Sequence, residues 1–254
     1  MAELQGALQG RERAVCVRVF GALELTNKWG QAGESRSHAS LSWLLLKYLL
    51  VNSGREVDED ELFGSLWPAK DNVGTGSAAR VRLRRLREAL APLHLDGRNG
   101  LVQFSRGRYF LNPDYELWRD DDLFTRLTER IHATPIEDGE GYALCREALE
   151  LFRGDFLEYT ALASWLTQYR DYYHRAFVDL ANSTLRRIRA TGDEGMLPLL
   201  CSRTLAIAPG EAELHRAIIA YMMDHRREVE LLRHISQLSR IGGTGVQWLN
   251  NEAL

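Results

Sequence analysis

The sequence predicts an α+β domain at the N-terminus followed by an all-α domain, and three observations carry that division. β-branched, partly alternating runs and turn residues are concentrated before Asn112-Pro113. Three helical periodicities lie among them, and after Pro113 the apolar pattern becomes helical. At roughly 100–200 residues per domain, a chain of 254 residues has room for two cores. The expected boundaries are a flexible tail over 1–14, an α+β domain over 15–112 and a helical domain over 113–254.

Within the first domain, residues 15–25 read as a strand broken near Gly21. Residues 27–37 are polar and glycine-bearing, as turns around one further short strand require. Over 38–52, Leu41, Leu44, Leu45, Tyr48 and Leu49 recur at helical spacing, and Gly54 stands where a helix C-terminus takes positive φ. Residues 58–67 predict a second helix, with Asp58, Glu59, Asp60 and Glu61 near its positive end and Pro68 stopping it. A loop over 69–76 leads to a third helix over 77–90. Residues 101–111 then alternate around Ser105-Arg106-Gly107-Arg108 as a two-stranded hairpin.

Helices are expected next over 117–131, 141–153, 165–189, 196–207, 211–226 and 228–241, punctuated by Pro135, Gly154, Gly192, Pro198 and Pro209. Long helices with short connections predict stacked antiparallel pairs, as in repeats of about 34 residues. A break at Gly242-Gly-Thr-Gly245 precedes a last segment containing Trp248 and Leu249.

Composition narrows the class. With 45% hydrophobic and 26% charged residues the chain is neither disordered nor fibrous. No apolar run approaches the ~18–20 residues of a membrane span, since Leu44-Leu45-Leu46 is interrupted at Lys47. The N-terminus, with Glu3, Arg11, Glu12 and Arg13, has no signal-peptide core. Cys16, Cys145 and Cys201 are odd in number and far apart, which predicts reduced thiols in a cytoplasmic protein. Charge is uneven: residues 1–112 hold 16 Lys+Arg and 12 Asp+Glu, a net of +4, and the remaining 16 and 23 leave −7 in 113–254. A basic half suggests a polyanionic partner.

The third helix sharpens that suggestion. On a helical wheel Ala79, Leu83, Leu86 and Leu90 form one buried stripe, and Ser77, Val81, Arg84 and Glu88 point away. Five arginines fall within eight residues, and only Glu88 offsets them within the helix. A solvated surface accounts for an ordinary charge run; a helix laid in a DNA major groove accounts for this one better, since arginine forks bind guanine edges and phosphates. Two helices precede it and a basic hairpin follows, the order of a winged helix-turn-helix. In that geometry Ser77, Arg80, Val81 and Arg84 face the bases, and Arg82, Arg85, Arg87, Arg106 and Arg108 hold phosphates of double-stranded DNA.

The residues also carry a family resemblance. Val17-Arg-Val-Phe-Gly-Ala-Leu-Glu-Leu25, Leu44-Leu-Leu-Lys-Tyr-Leu-Leu50, Gly54-Arg-Glu-Val57, Asp60-Glu-Leu62, Leu66-Trp-Pro68, the run from Arg82 to Leu90 and Gly107-Arg-Tyr-Phe-Leu111 occur in order. They resemble the OmpR-type winged-helix domain of the SARP family of bacterial transcriptional regulators. Ala148-Leu-Glu-Leu-Phe-Arg-Gly154, Phe156-Leu157, Trp165, Ala208-Pro209, Glu213 and His215-Arg216 are similar to that family's tetratricopeptide-like bacterial transcriptional activator domain. The resemblance implies an activator that recruits RNA polymerase at direct-repeat sites as a homodimer on DNA, with the helical half supplying protein contacts. The alternative is a helical-repeat interaction or scaffold protein whose winged helix no longer binds DNA.

No catalytic residue, metal or cofactor is expected. Gly74-Thr75-Gly76 lacks the lysine and spacing of a phosphate loop, and the seven histidines form no HExxH or HxH pairing. Asp120-Asp121-Asp122 reads as acids favoured in a first helical turn, because three consecutive carboxylates cannot all face one ion from a helix. Trp165, Tyr169, Tyr172, Tyr173 and Phe177 read as helix packing.

Overall fold

A computed structural model of the chain describes residue 6 and residues 11–34, 41–66, 75–97, 99–161 and 163–241, the side chains of 41 and 75–79 excepted. Most of the expected tail, Pro68, residues 69–74 and the segment after 241 therefore lie outside the described residues. The chain divides into two units, residues 1–121 with 156–168, and residues 122–155 with 169–254.

The first unit opens with strands β1 (Ala14–Arg18), β2 (Glu24–Asn27) and β3 (Gly30–Gly33). Gly21, at φ 94°, supplies the break between β1 and β2. Helix α1 (Leu41–Val51), the two-residue strand β4 (Val57–Asp58), α2 (Glu59–Leu66) and α3 (Thr75–Leu90) follow. Strands β5 (Val102–Ser105) and β6 (Arg108–Leu111) form the hairpin, and β7 (Glu116–Arg119) ends the series.

Two expectations need correction here. The helix expected from 117 begins only at Asp120, because residues 116–119 form β7 and pair in parallel with β1 in the order β3-β2-β1-β7. Main-chain pairing with a buried strand outweighs the local helical preference of Leu117. The hairpin is also three-stranded, since Val57 pairs with Tyr109 and Asp58 with Arg108, in the order β4-β6-β5. That pairing draws Asp58 out of the expected second helix, which starts at Glu59.

The four-stranded sheet is tied down by polar contacts made over long sequence separations. Asp120, 1% exposed, accepts hydrogen bonds from the amides of Val19 (2.8 Å) and Phe20 (3.3 Å), just beyond the end of β1. Leu157 N donates to Val19 O (2.7 Å) and Glu158 N to Gly21 O (3.0 Å), so residues 156–158 pair with the segment that follows β1. Lys47 of α1 is fully buried, ion-paired with Glu34 and donating to Thr160 Oγ1 at 2.7 Å. Burial pushes the Glu34 carboxyl up, and Lys47 opposes that rise.

The second unit is helical: α4 (Asp120–Ala133), α5 (Gly139–Leu151), α6 (Ser164–Thr191), α7 (Leu197–Ile207), α8 (Ala212–Asp224) and α9 (Glu228–Ile241). α4 and α6 each run across a unit boundary in sequence. Within the second unit α5 packs on α7, and α9 packs on both α7 and α8. Phe124 meets Phe152 edge-on and Phe152 meets Phe177 at a tilt in its core, with ring centroids 4.8 and 5.1 Å apart. Tyr173 is buried as expected of the aromatic run, whereas Tyr172 is 52% exposed. Cys16 and Cys145 are buried free thiols and Cys201 is a partly exposed one.

Candidate nucleic-acid interface

The arginine-rich helix α3 shows how sequence places its charges. Leu83, Leu86 and Leu90, at 6%, 0% and 0% exposure, bury one stripe, and α1 is the neighbour that stripe meets. Arg80, Val81, Arg84 and Arg85 therefore stand on the exposed side, and Val81 is 42% exposed. The side chains of Ser77 and Ala79 lie outside the described residues. Arg84 is 3.6 Å from Glu88, with the two side chains 72% and 64% exposed. A pair so exposed is worth ~0–1 kcal/mol and exchanges readily for another anion. Arg80 and Arg85 enter no ion pair among the described residues.

Two of the predicted cations are held inside the unit. Arg87 is half-buried and donates from Nη2 to Val102 O of β5 at 3.2 Å, joining α3 to the hairpin. Arg108 donates from Nε to Asp58 Oδ1 (2.8 Å) and from Nη1 to Glu56 Oε2 (3.3 Å). Arg82 is half-buried. Arg106 is exposed at the hairpin tip at φ 52°, and Gly107 follows at φ 80°. Two consecutive left-handed residues make the tight two-residue turn that matches strand twist, and they set Arg106 at the outermost point of the hairpin.

Tyr109 of β6 is fully buried beneath this surface. Burial, aided by Glu59, pushes its phenol up to about 12, against the pull of Arg80 and Arg87. The far end of α3 is gripped by the β2–β3 turn. Asn27, 8% exposed, donates from Nδ2 to Leu93 O at 2.8 Å and accepts from Trp29 N at 2.9 Å. Trp29 meets His94 edge-on, with ring centroids 4.9 Å apart.

Sequence reasoning therefore found the exposed arginines and missed the residues that set them. Glu56, Asp58, Tyr109 and Asn27 carry no local signal, because their partners lie some 50 or more residues away. Among the described residues no group of three or more His, Cys, Asp or Glu side chains could hold a metal ion. No helix of the described residues is long and apolar enough to cross a membrane.

The fold and this surface define a two-part protein, with a basic helix and adjoining three-stranded sheet in one unit and helices in the other. No protein-family description and no curated protein matches the chain. Among solved structures it is similar to Mycobacterium tuberculosis EmbR in complex with a low-affinity phosphopeptide, at a TM-score of 0.61 and 18% identity. The superposition covers 93% of this chain and 64% of that one, so this chain spans less than two thirds of EmbR's length. The likeness is one of fold.

Proposed function

We propose that the chain is a sequence-specific DNA-binding transcriptional regulator of the SARP type rather than an enzyme, and that it works in the cytoplasm. Its first unit is a winged helix-turn-helix of the OmpR type, with α2 and α3 as the helix pair and β5–β6 as the wing. α3 enters the major groove, where Ser77, Arg80, Val81 and Arg84 read bases. Arg82, Arg85, Arg87, Arg106 and Arg108 hold phosphates, Arg108 by exchanging Glu56 and Asp58 for the backbone. The helical unit is tetratricopeptide-like and supplies protein contacts. The chain activates transcription by recruiting RNA polymerase and binds DNA as a homodimer.

One observation carries the reading: Arg80, Arg84 and Arg85 are exposed together on a helix whose opposite stripe is buried, and the one ion pair they make among the described residues is loose. The fold likeness to EmbR and the order of the sequence motifs support it. The test is selection from a random-sequence DNA library at two salt concentrations. Enrichment of a motif, weakened by salt and lost with Arg84→Ala, is the expected result. Salt-sensitive binding without enrichment would reduce the site to a basic surface. No binding at either salt would favour the scaffold reading.

A further inference from the structure

A groove of about 610 Å³ runs between α7 and α9 of the second unit. Its α7 wall is largely apolar, built from Leu197, Pro198, Leu205 and Ala206 at helical spacing. The α9 wall has Val229 at one end and Ile241 at the other, 67% and 52% exposed. Exposed apolar residues gathered along one groove mark an interaction surface better than scattered ones do. The two ends are twelve residues apart on one helix, so the groove is ~18 Å long, the length of a partner helix of about three turns.

Charge says what kind of helix fits. Arg233 and Arg240 line the α9 wall between those apolar ends, and neither enters an ion pair among the described residues. Glu230, the one carboxylate in the lining among the described residues, is already paired with Arg227 at 2.9 Å. His234 is fully buried at the groove's base, where its Nε2 is hydrogen-bonded to His215 at 2.9 Å, so the charge offered to an incoming helix comes from the two arginines. Although residues 113–254 sum to −7, this rim is locally basic. The two arginines are seven residues apart, about 10.5 Å along α9, the spacing of two carboxylates two turns apart on a helix lying alongside.

We propose that this groove docks an amphipathic helix of a partner protein, its apolar stripe against α7 and its acidic flank against Arg233 and Arg240. The inference does not depend on DNA binding by the first unit.

The test uses the full chain and a fluorescein-labelled, alanine-based helical peptide about four turns long. The peptide carries a leucine stripe and two glutamates two turns apart on its flank, and a matched peptide has lysines in their place. Fluorescence anisotropy is expected to show salt-sensitive binding of the acidic peptide. The Arg233→Glu, Arg240→Glu double variant should weaken it about tenfold or more and should restore binding of the lysine peptide. Equal binding of both peptides by the unaltered chain would overturn the proposal, as would no binding of the acidic one. Binding that emerges only after deletion of residues 242–254 would make this chain's own terminal segment the occupant and would overturn the partner assignment.

Discussion

The side-chain amide of Asn27 donates to the backbone carbonyl of Leu93 at 2.8 Å, across 66 residues of sequence and within the buried part of the first unit. That bond ties the β2–β3 turn to the short turn that ends α3. Arg80 lies ten residues before Leu90, about 15 Å along the helix, so a tilt of ~10° at the gripped end would move it by roughly 2.6 Å. A displacement of that size is enough to break a bidentate contact to a base.

Asn27→Ala is therefore expected to lower stability by ~1–3 kcal/mol, the cost of leaving a buried carbonyl unpaired. It is also expected to narrow the gap between specific and non-specific DNA affinity. Thermal unfolding and paired binding titrations on the two kinds of DNA measure the two effects. Unchanged discrimination in a destabilised variant would show that the turn braces the fold without aiming the helix.

Arg84 and Arg85 are neighbours with different expected duties. Arg84→Ala should cost ~1–3 kcal/mol on the selected motif and relax preference at one position. Arg85→Ala should weaken binding evenly across sequences and lower the salt slope by about 1. Titrations at several salt concentrations separate the two, and identical profiles would contradict the groove assignment.

Arg187 is 1% exposed and donates to the carbonyls of Ile131, Thr134, Pro135 and Ile136, closing the C-terminal end of α4. Arg187→Met should destabilise the helical unit by about 3 kcal/mol, because four hydrogen bonds are lost together. Ile131 O and Pro135 O keep the amides of Thr134 and Asp138 as donors, and the carbonyls of Thr134 and Ile136 carry most of the cost. Gly141 abuts the same guanidinium, and a Cβ there would sit 2.2 Å from Nη1. Gly141→Ala should consequently also lower the unfolding midpoint, which calorimetry would register. Neutral behaviour of both variants would argue against this capping role.

His215 and His234 form a buried pair, Nδ1 to Nε2 at 2.9 Å. Burial, then the neighbouring His215, pushes His234 down to about 4, and burial pushes His215 down as well. A base whose folded value is depressed binds fewer protons folded than unfolded. Its contribution is thus complete above about pH 6.5 and is lost as pH falls from there toward 4. The loss should reach the order of 3 kcal/mol at the acid end, and His234→Phe should flatten the profile. Urea midpoints across that range test this, and an unchanged slope in the variant would assign the acid sensitivity elsewhere.

Helical periodicity made most of the second unit legible: six helices were expected after 113, and the five from α5 onward begin and end within about two residues of their expected bounds. It also displayed the outward face of α3. Periodicity is a property of neighbouring residues, so a single sequence shows it. β4, β7 and the grip of Asn27 were not legible, because each depends on a partner that only the closed chain brings near.

What the sequence by itself determined is the change from mixed to helical pattern, the clustering of arginine on one helix and the spacing of the buried stripe beneath it. The tertiary structure alone decided that residues 116–119 become a strand, that Lys47 is buried against Glu34, and that Arg87 and Arg108 are held by Val102, Asp58 and Glu56 while Arg80, Arg84 and Arg85 face outward. The physical reason is one of range. Propensity and amphipathicity act within a few residues, whereas strand pairing, burial of charge and the partner an arginine finds are settled by groups tens of residues apart that packing brings within hydrogen-bonding distance.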